Sequence, residues 1–259
     1  YTYVDSLPVS ITTKILNTYK FVRDNGSSFL LVHAGSTVFS SSQLGTTWRT
    51  VVTGISSKYP FRFATHYDKV FGANAVNTTF SFDGVTYTEY SFIPKAFYPL
   101  SADGRLWMGS TINSPSSVYF SEINVDPITN ADWETTNEQK IGLGDGQTIK
   151  GLDFQRGVIW VYKDRSLYGI RSITNKYLAL ADHGTVSQFS ISGYNNGKIF
   201  LAKTGFYYFG GGNVEYLSND INNLISGIGL IAANSSRISI TSSAYFSTGP
   251  FIGMLGAVL

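Results

Sequence analysis

The chain has no cysteine, which excludes a disulfide framework and any thiolate metal site. Charge is scarce as well. There are 19 Lys and Arg against 17 Asp and Glu, 14% of the 259 residues, where about a quarter is usual. No run of Lys or Arg occurs, so nucleic-acid recognition by a basic patch has no support. With a net charge of +2, a strongly acidic channel is not indicated. No apolar run reaches the roughly 18 residues that a membrane helix needs. The last stretch, GPFIGMLGAVL (Gly249 to Leu259), is apolar but too short to span, and reads as a buried closing strand. No basic segment leading into an apolar one opens the chain, so no signal peptide is expected. The chain begins at Tyr1 rather than Met.

What is present is apolar, aromatic and turn-rich. Hydrophobic residues make up 43% of the chain, with 26 Gly, 17 Tyr and 18 Phe. That is enough apolar surface for a packed core. Glycine turns and β-favouring aromatics set among Ser, Thr and Asn predict an all-β chain.

A repeat organises the sequence. Five turn sites, at Asn25-Gly26, Tyr67-Asp68, Asp103-Gly104, Arg156-Gly157 and Asn196-Gly197, each precede an apolar run. Those runs are FLLVHAG, KVFGAN, RLWMGST, VIWVYKD and KIFLAKTG, and a second aromatic run follows each one. The turns fall at 26, 68, 104, 157 and 197, spaced by 42, 36, 53 and 40 residues. A period near 40 is that of a propeller blade. A strand-like run precedes each turn: YKFVR, FRFATHY, AFYPLS, IKGLDF and FSISGY. A fourth run closes each unit less uniformly, clearest in TWRTVV, TYTEYSFI, KYLALAD and NVEYL.

The expectation is one all-β domain over residues 1–259, a β-propeller of four-stranded antiparallel blades. Blades are placed at 17–54, 61–93, 96–140, 148–183 and 189–220. Residues 1–16 and 235–259 combine into a closing sixth, because a ring must close and open sheet edges are a liability. Five blades is the alternative count. Phe71, Trp107, Trp160 and Phe200 are assigned to packing between blades. The 53-residue interval contains INVDPITNADWETTNEQK (Ile123 to Lys140), read as an inserted loop.

SSQLGTTW (Ser41 to Trp48) resembles the S-x-D-x-G-x-x-W Asp box of sialidases and other propellers, with Gln43 in place of the Asp. The box is a turn between the third and fourth strands of a blade, with its Trp packed between blades. It is read as a folding element rather than a site.

The search for chemistry finds little. Sialidase chemistry needs three converging Arg, a Tyr nucleophile and an acid; the eight Arg (23, 49, 62, 105, 156, 165, 171 and 237) are scattered. Arg105 and Arg156 sit at blade turns and are expected to be solvated. Asp153 and Glu122 are candidates for a glycosidase pair, as any of the 17 acids would be. His33, His66 and His183 lack metal-ligand spacing. His33 and His66 fall near equivalent blade positions and read as ordinary hydrogen-bonded residues. GLGDGQT (Gly142 to Thr148) lacks the Lys and helix of a phosphate loop and reads as a flexible linker. DPITNADWE (Asp126 to Glu134) lacks calcium-loop spacing and reads as a solvated loop. No catalytic, cofactor-binding or metal residue is assigned.

Several stretches in order resemble a family of bacteriophage β-propeller virion proteins. These are structural proteins of tails and necks, including tail-hub and packaged-DNA stabilisation proteins. The stretches are FSFDGVTYTEY, DGRLWMGSTINSPSSVYFSEINVDPITNADW, GLGDGQTIKGLDFQRGVIWVYKDRSLYGI and HGTVSQFSISGYNNGKIFLAKTGFYYFGGGNVEYLSNDI. They cover roughly residues 60–221. After Ile221 the sequence departs from the family pattern. The resemblance implies a non-enzymatic virion structural protein of tail, neck or connector, made in the host bacterial cytoplasm. Its implied partners are other virion proteins and further copies in a homo-oligomeric ring, with transient contact to DNA in a tail channel and none with membrane. A carbohydrate-binding, receptor-recognising propeller is the first alternative; a glycosidase of sialidase type is the second.

Overall fold

The computed structural model describes residues 13–42, 47–126, 128–134 and 136–219. They form five four-stranded antiparallel sheets, each built from strands consecutive in the chain. The first holds β1 (Ile15–Val22), β2 (Ser28–Ala34), β3 (Thr37–Ser41) and β4 (Trp48–Thr53). The second holds β5 (Arg62–His66), β6 (Lys69–Ala73), β7 (Thr79–Phe82) and β8 (Tyr87–Tyr90). The third holds β9 (Ala96–Ala102), β10 (Arg105–Thr111), β11 (Ser117–Phe120) and β12 (Glu138–Lys140). The fourth holds β13 (Ile149–Gln155), β14 (Val158–Lys163), β15 (Ser166–Ser172) and β16 (Asn175–Ala181). The fifth holds β17 (Ser192–Tyr194), β18 (Gly197–Ala202), β19 (Gly205–Phe209) and β20 (Val214–Tyr216).

The turns between first and second strands explain the spacing of the repeat. In the second, third and fourth sheets they are two-residue hairpins with both central residues at positive φ. These pairs are Tyr67 and Asp68 (41° and 57°), Asp103 and Gly104 (51° and 67°), and Arg156 and Gly157 (53° and 72°). That backbone twist matches the twist of the flanking strands. In the fifth sheet the two-residue turn is Asn195-Asn196, with Asn195 at φ 48°. Gly197 pairs with Tyr194 as the first residue of β18, so this turn lies one residue earlier than the sequence reading put it.

Two further expectations shift. The sixth blade was to be built from residues 1–16 and 235–259. Residues 1–12 and 220–259 lie outside the described residues, and Ile15 and Leu16 belong to β1 of the first sheet. The inserted loop ends earlier than Lys140, because Glu138–Lys140 is the fourth strand of the third sheet.

The chain divides into two compact units with the boundary after Gln139. In the first unit, Phe21, Leu31 and Val38 of the first sheet cluster with Phe61, Phe63, Val70, Phe80 and Phe82. The opposite face of the second sheet offers Phe71 and Ala73 to Leu106 and Met108 of the third. The inner strands β6 and β7 are thus buried on both faces, which is why they read as nearly continuous apolar runs. Trp107 lies on the other face of β10 from Leu106 and Met108 and pairs with Phe120, ring centroids 5.0 Å apart. In the second unit, Trp160 and Tyr162 pack against Phe200 and Phe209, joining the fourth and fifth sheets. Phe71, Trp160 and Phe200 therefore pack between sheets. Trp48 differs: it is only half-buried, against the small cluster of Val32, Ala34 and Phe39. Gln43 to Thr46 of the box lie outside the described residues.

Candidate functional site

The histidines and acids singled out from the sequence each have a partner that the fold itself supplies. His33 is the next-to-last residue of β2 and is fully buried. Its Nδ1 accepts the Phe61 backbone N–H at 3.0 Å, tying the first sheet to the second. His66 ends β5, and its Nδ1 bonds the Ser101 hydroxyl at 2.9 Å, tying the second sheet to the third. The two occupy different strands of their sheets, so they are not equivalent. Burial lowers the pKa of each from 6.5 to about 4. A Gly35 backbone interaction for His33 and the Asp126 charge for His66 pull the other way and are outweighed. Both imidazoles are neutral at physiological pH. Half-buried His183 bonds the Ala181 carbonyl at 2.9 Å, two residues away.

The acids are held in the same manner. Asp153 of β13 is 2.8 Å from the Lys198 ammonium of β18. Burial still raises its pKa, with Lys198 opposing. Glu122 accepts from Asn137 at 2.9 Å and faces Arg105 at 3.6 Å. Arg105 also donates to the Ser121 carbonyl at 2.6 Å, and Arg156 donates to the Gly210 carbonyl at 3.0 Å. Arg105 is thus a largely buried scaffold donor, whereas Arg156 is an exposed turn charge, as expected. Arg23 chelates Asp68 at 2.9 Å, and Arg49 donates to the Val85 carbonyl at 2.9 Å. Three arginines meeting at one carboxylate site do not occur among the described residues of either unit. Arg237 lies outside the described residues.

The two suspect loops also resolve into structure. In the 126–134 segment, Asp126 pairs with Lys69 at 2.7 Å. Asp132 accepts from the Thr129 N–H and hydroxyl at 2.7 and 2.6 Å, capping a single 3-10 turn. Among the described residues no group of three or more His, Asp or Glu could hold a metal ion. Gly142 to Thr148 is not a flexible linker. Lys163, fully buried at the end of β14, reaches into it and meets both Asp145 oxygens at 2.7 Å. Gln147 accepts from the Arg165 N–H at 2.7 Å, and Thr148 donates to Asp164 through its backbone at 2.8 Å. A cation does reach this glycine-rich loop, but a carboxylate of the loop already fills its coordination, so it is no phosphate cradle.

Lys163 was missed in the sequence, although a signal existed. It shares a face of β14 with Ile159 and Val161, both buried. A lysine on an apolar face implies a buried partner. Gln188 carried no such signal. It fastens β13 by accepting from the Leu152 N–H at 2.7 Å and donating to the Leu152 carbonyl at 3.0 Å.

One concavity of about 380 Å³ opens in the first unit beside the second sheet, lined by Lys69, Ser81, Asp83, Thr86, Thr88, Tyr90 and Ile128. None of these residues stood out in the sequence, since Ser and Thr among aromatics are common to many of its strands.

No protein-family model matches the chain. No curated protein matches it either. Solved structures do. A catalytically inactive virginiamycin B lyase from Staphylococcus aureus, with quinupristin, aligns at 13% identity and TM-score 0.60, over 83% of this chain and 73% of that one. A streptogramin B lyase aligns at 12% identity and TM-score 0.55, over 82% and 74%. The extracellular domain of a putative hybrid two-component system from B. thetaiotaomicron aligns at 12% identity and TM-score 0.58, over 84% of this chain but only 30% of that one. Identity at this level speaks for the fold alone. The fold is all-β, a β-propeller with four-stranded antiparallel blades, five of them among the described residues. No helix among those residues is long and apolar enough to cross a membrane.

Proposed function

We propose that the chain is a non-enzymatic structural propeller of a bacteriophage virion, in the tail, neck or connector, assembling with copies of itself and with other virion proteins. One observation carries the non-enzymatic part. The buried groups best suited to acid–base work, His33, His66, Asp153 and Lys163, are each held by a scaffold partner at 2.7 to 3.0 Å. A general acid or base must be within reach of a substrate proton, and these groups face backbone, a neighbouring hydroxyl or a fixed counter-charge. The virion part rests on the ordered stretches between residues 60 and 221. The single domain over 1–259 belongs to the same proposal. Low charge and a surface rich in Ser, Thr and Asn suit close packing against neighbouring subunits without strong steering. The lyase activity of the structural neighbours is not carried over, because 12 to 13% identity conveys no site.

The test is gold-labelled antibody raised against the chain, applied to purified virions of the phage whose genome encodes it. Label on tails or necks is expected. Label absent from intact and opened virions alike, with the chain present only in the lysate, would refute the assignment.

A further inference from the structure

The cavity beside the second sheet has a chemistry of its own. Period-two alternation sets Lys69 of β6, Ser81 of β7, and Thr88 and Tyr90 of β8 on one face, and Asp83 and Thr86 continue it into the turn. The register agrees: Ser81 pairs with Thr88 on one side and Phe71 on the other. The Ser81 and Tyr90 hydroxyls are 2.9 Å apart and buried, so they form a fixed polar floor. Asp83 accepts the Val85 and Thr86 N–H groups at 2.8 and 2.6 Å, both on Oδ1, which locks the turn that carries Thr86. Lys69 is oriented by Asp126 at 2.7 Å. Strand-borne groups held this way are pre-organised.

We infer that this cavity binds a neutral polyhydroxylated ligand, a sugar unit. The lining offers side-chain hydroxyls at Ser81, Thr86, Thr88 and Tyr90, one carboxylate and one ammonium. Hydroxyls donate and accept at once, as do the hydroxyls of a sugar. An anion such as phosphate is disfavoured, because Asp83 lines the cavity and the one cation is already paired. A divalent cation is disfavoured by the Lys69 ammonium. A purely apolar ligand would strand the hydroxyls without partners. Ile128 and the Tyr90 ring supply apolar surface for a pyranose C–H face. The volume of about 380 Å³ is at the low end of ligand sites, sized for one or two sugar rings. The inference does not depend on the virion assignment.

The test is saturation-transfer NMR and calorimetric titration of the full chain with glucose, galactose, mannose and N-acetylglucosamine. Inorganic phosphate and calcium chloride serve as controls. At least one sugar is expected to bind with Kd of about 1 mM, weak as suits a single shallow subsite. Thr88→Val, at an exposed strand position, should weaken it about fivefold to tenfold by removing one hydrogen bond, with melting temperature unchanged. Lys69→Met should weaken it as well. No saturation transfer from any of the four sugars would overturn the inference. So would affinity unchanged from that of the unaltered chain in both variants, or tighter binding of phosphate or calcium than of every sugar.

Discussion

Lys163 Nζ lies 2.7 Å from both carboxylate oxygens of Asp145 and donates to the Ile141 carbonyl at 2.8 Å. The ammonium is fully buried, while the Asp145 side chain keeps 21% exposure. The pair joins the end of β14 to the glycine-rich loop before β13, so the loop's position depends on an ion pair rather than on apolar packing.

Breaking such a pair from one side leaves a buried charge unbalanced. Asp145→Asn should cost about 3–5 kcal/mol, because Lys163 cannot reach water. Lys163→Met should cost less, since Asp145 is partly wetted, and the double variant should recover part of the loss. Urea denaturation of the three variants checks this; additive losses would mean that the two side chains do not act together.

The two neutral histidines make folding pH-dependent. Their folded pKa values are about 4 against 6.5 for the free group. Between those values the unfolded chain binds protons that the folded chain refuses. Stability should be full above pH 6.5, fall as pH drops toward 4, and level off below that as the folded imidazoles titrate. Each contributes on the order of 3 kcal/mol across the window. Asp153, with its pKa raised by burial against the opposing Lys198 charge, works in the opposite sense. Asp83 and Asp164, whose pKa values are lowered by hydrogen bonds, add their loss only below about pH 4. Melting curves at pH 7.5, 6, 5 and 4 measure the slope. His33→Asn and His66→Asn keep a δ-position hydrogen-bonding atom without the titration, and each should flatten it.

The two tryptophans of the third and first sheets should separate cleanly. Trp107 is 2% exposed, and its Nε1 donates to the Ala102 carbonyl at 3.0 Å. Trp107→Ala should cost about 3–5 kcal/mol, the usual range for a buried aromatic truncation. Trp48 is half-buried, and Trp48→Ala should cost less than half as much. Equal losses in denaturant titrations would contradict the burial difference between them.

The repeat was legible because its inner strands are buried on both faces. All six residues of β14 and all four of β7 are buried, so their apolar character is imposed by packing. The fourth strands were harder to read for the converse reason. β16 and β4 are largely exposed, and solvent places few demands on which polar residues they carry. β12, three residues after a long insertion, had no apolar signature at all. The turns were readable where positive φ selects Asp, Asn or Gly, as at Asp103-Gly104, and misplaced by one residue where the turn is Asn195-Asn196 and Gly197 opens β18. The cavity beside the second sheet was illegible, because Ser81, Thr88 and Tyr90 become neighbours only through strand register. The Lys163 to Asp145 link was half-legible: the lysine was out of place on its face, but its partner sits eighteen residues earlier in a loop with no period.

The central claim, that this chain assembles with copies of itself as a virion component, is tested most directly by light scattering of the purified chain across a hundredfold range of concentration. The account predicts a discrete closed oligomer of constant mass over the upper part of that range. A mass of 28.4 kDa at every concentration, that of a single chain, would contradict it.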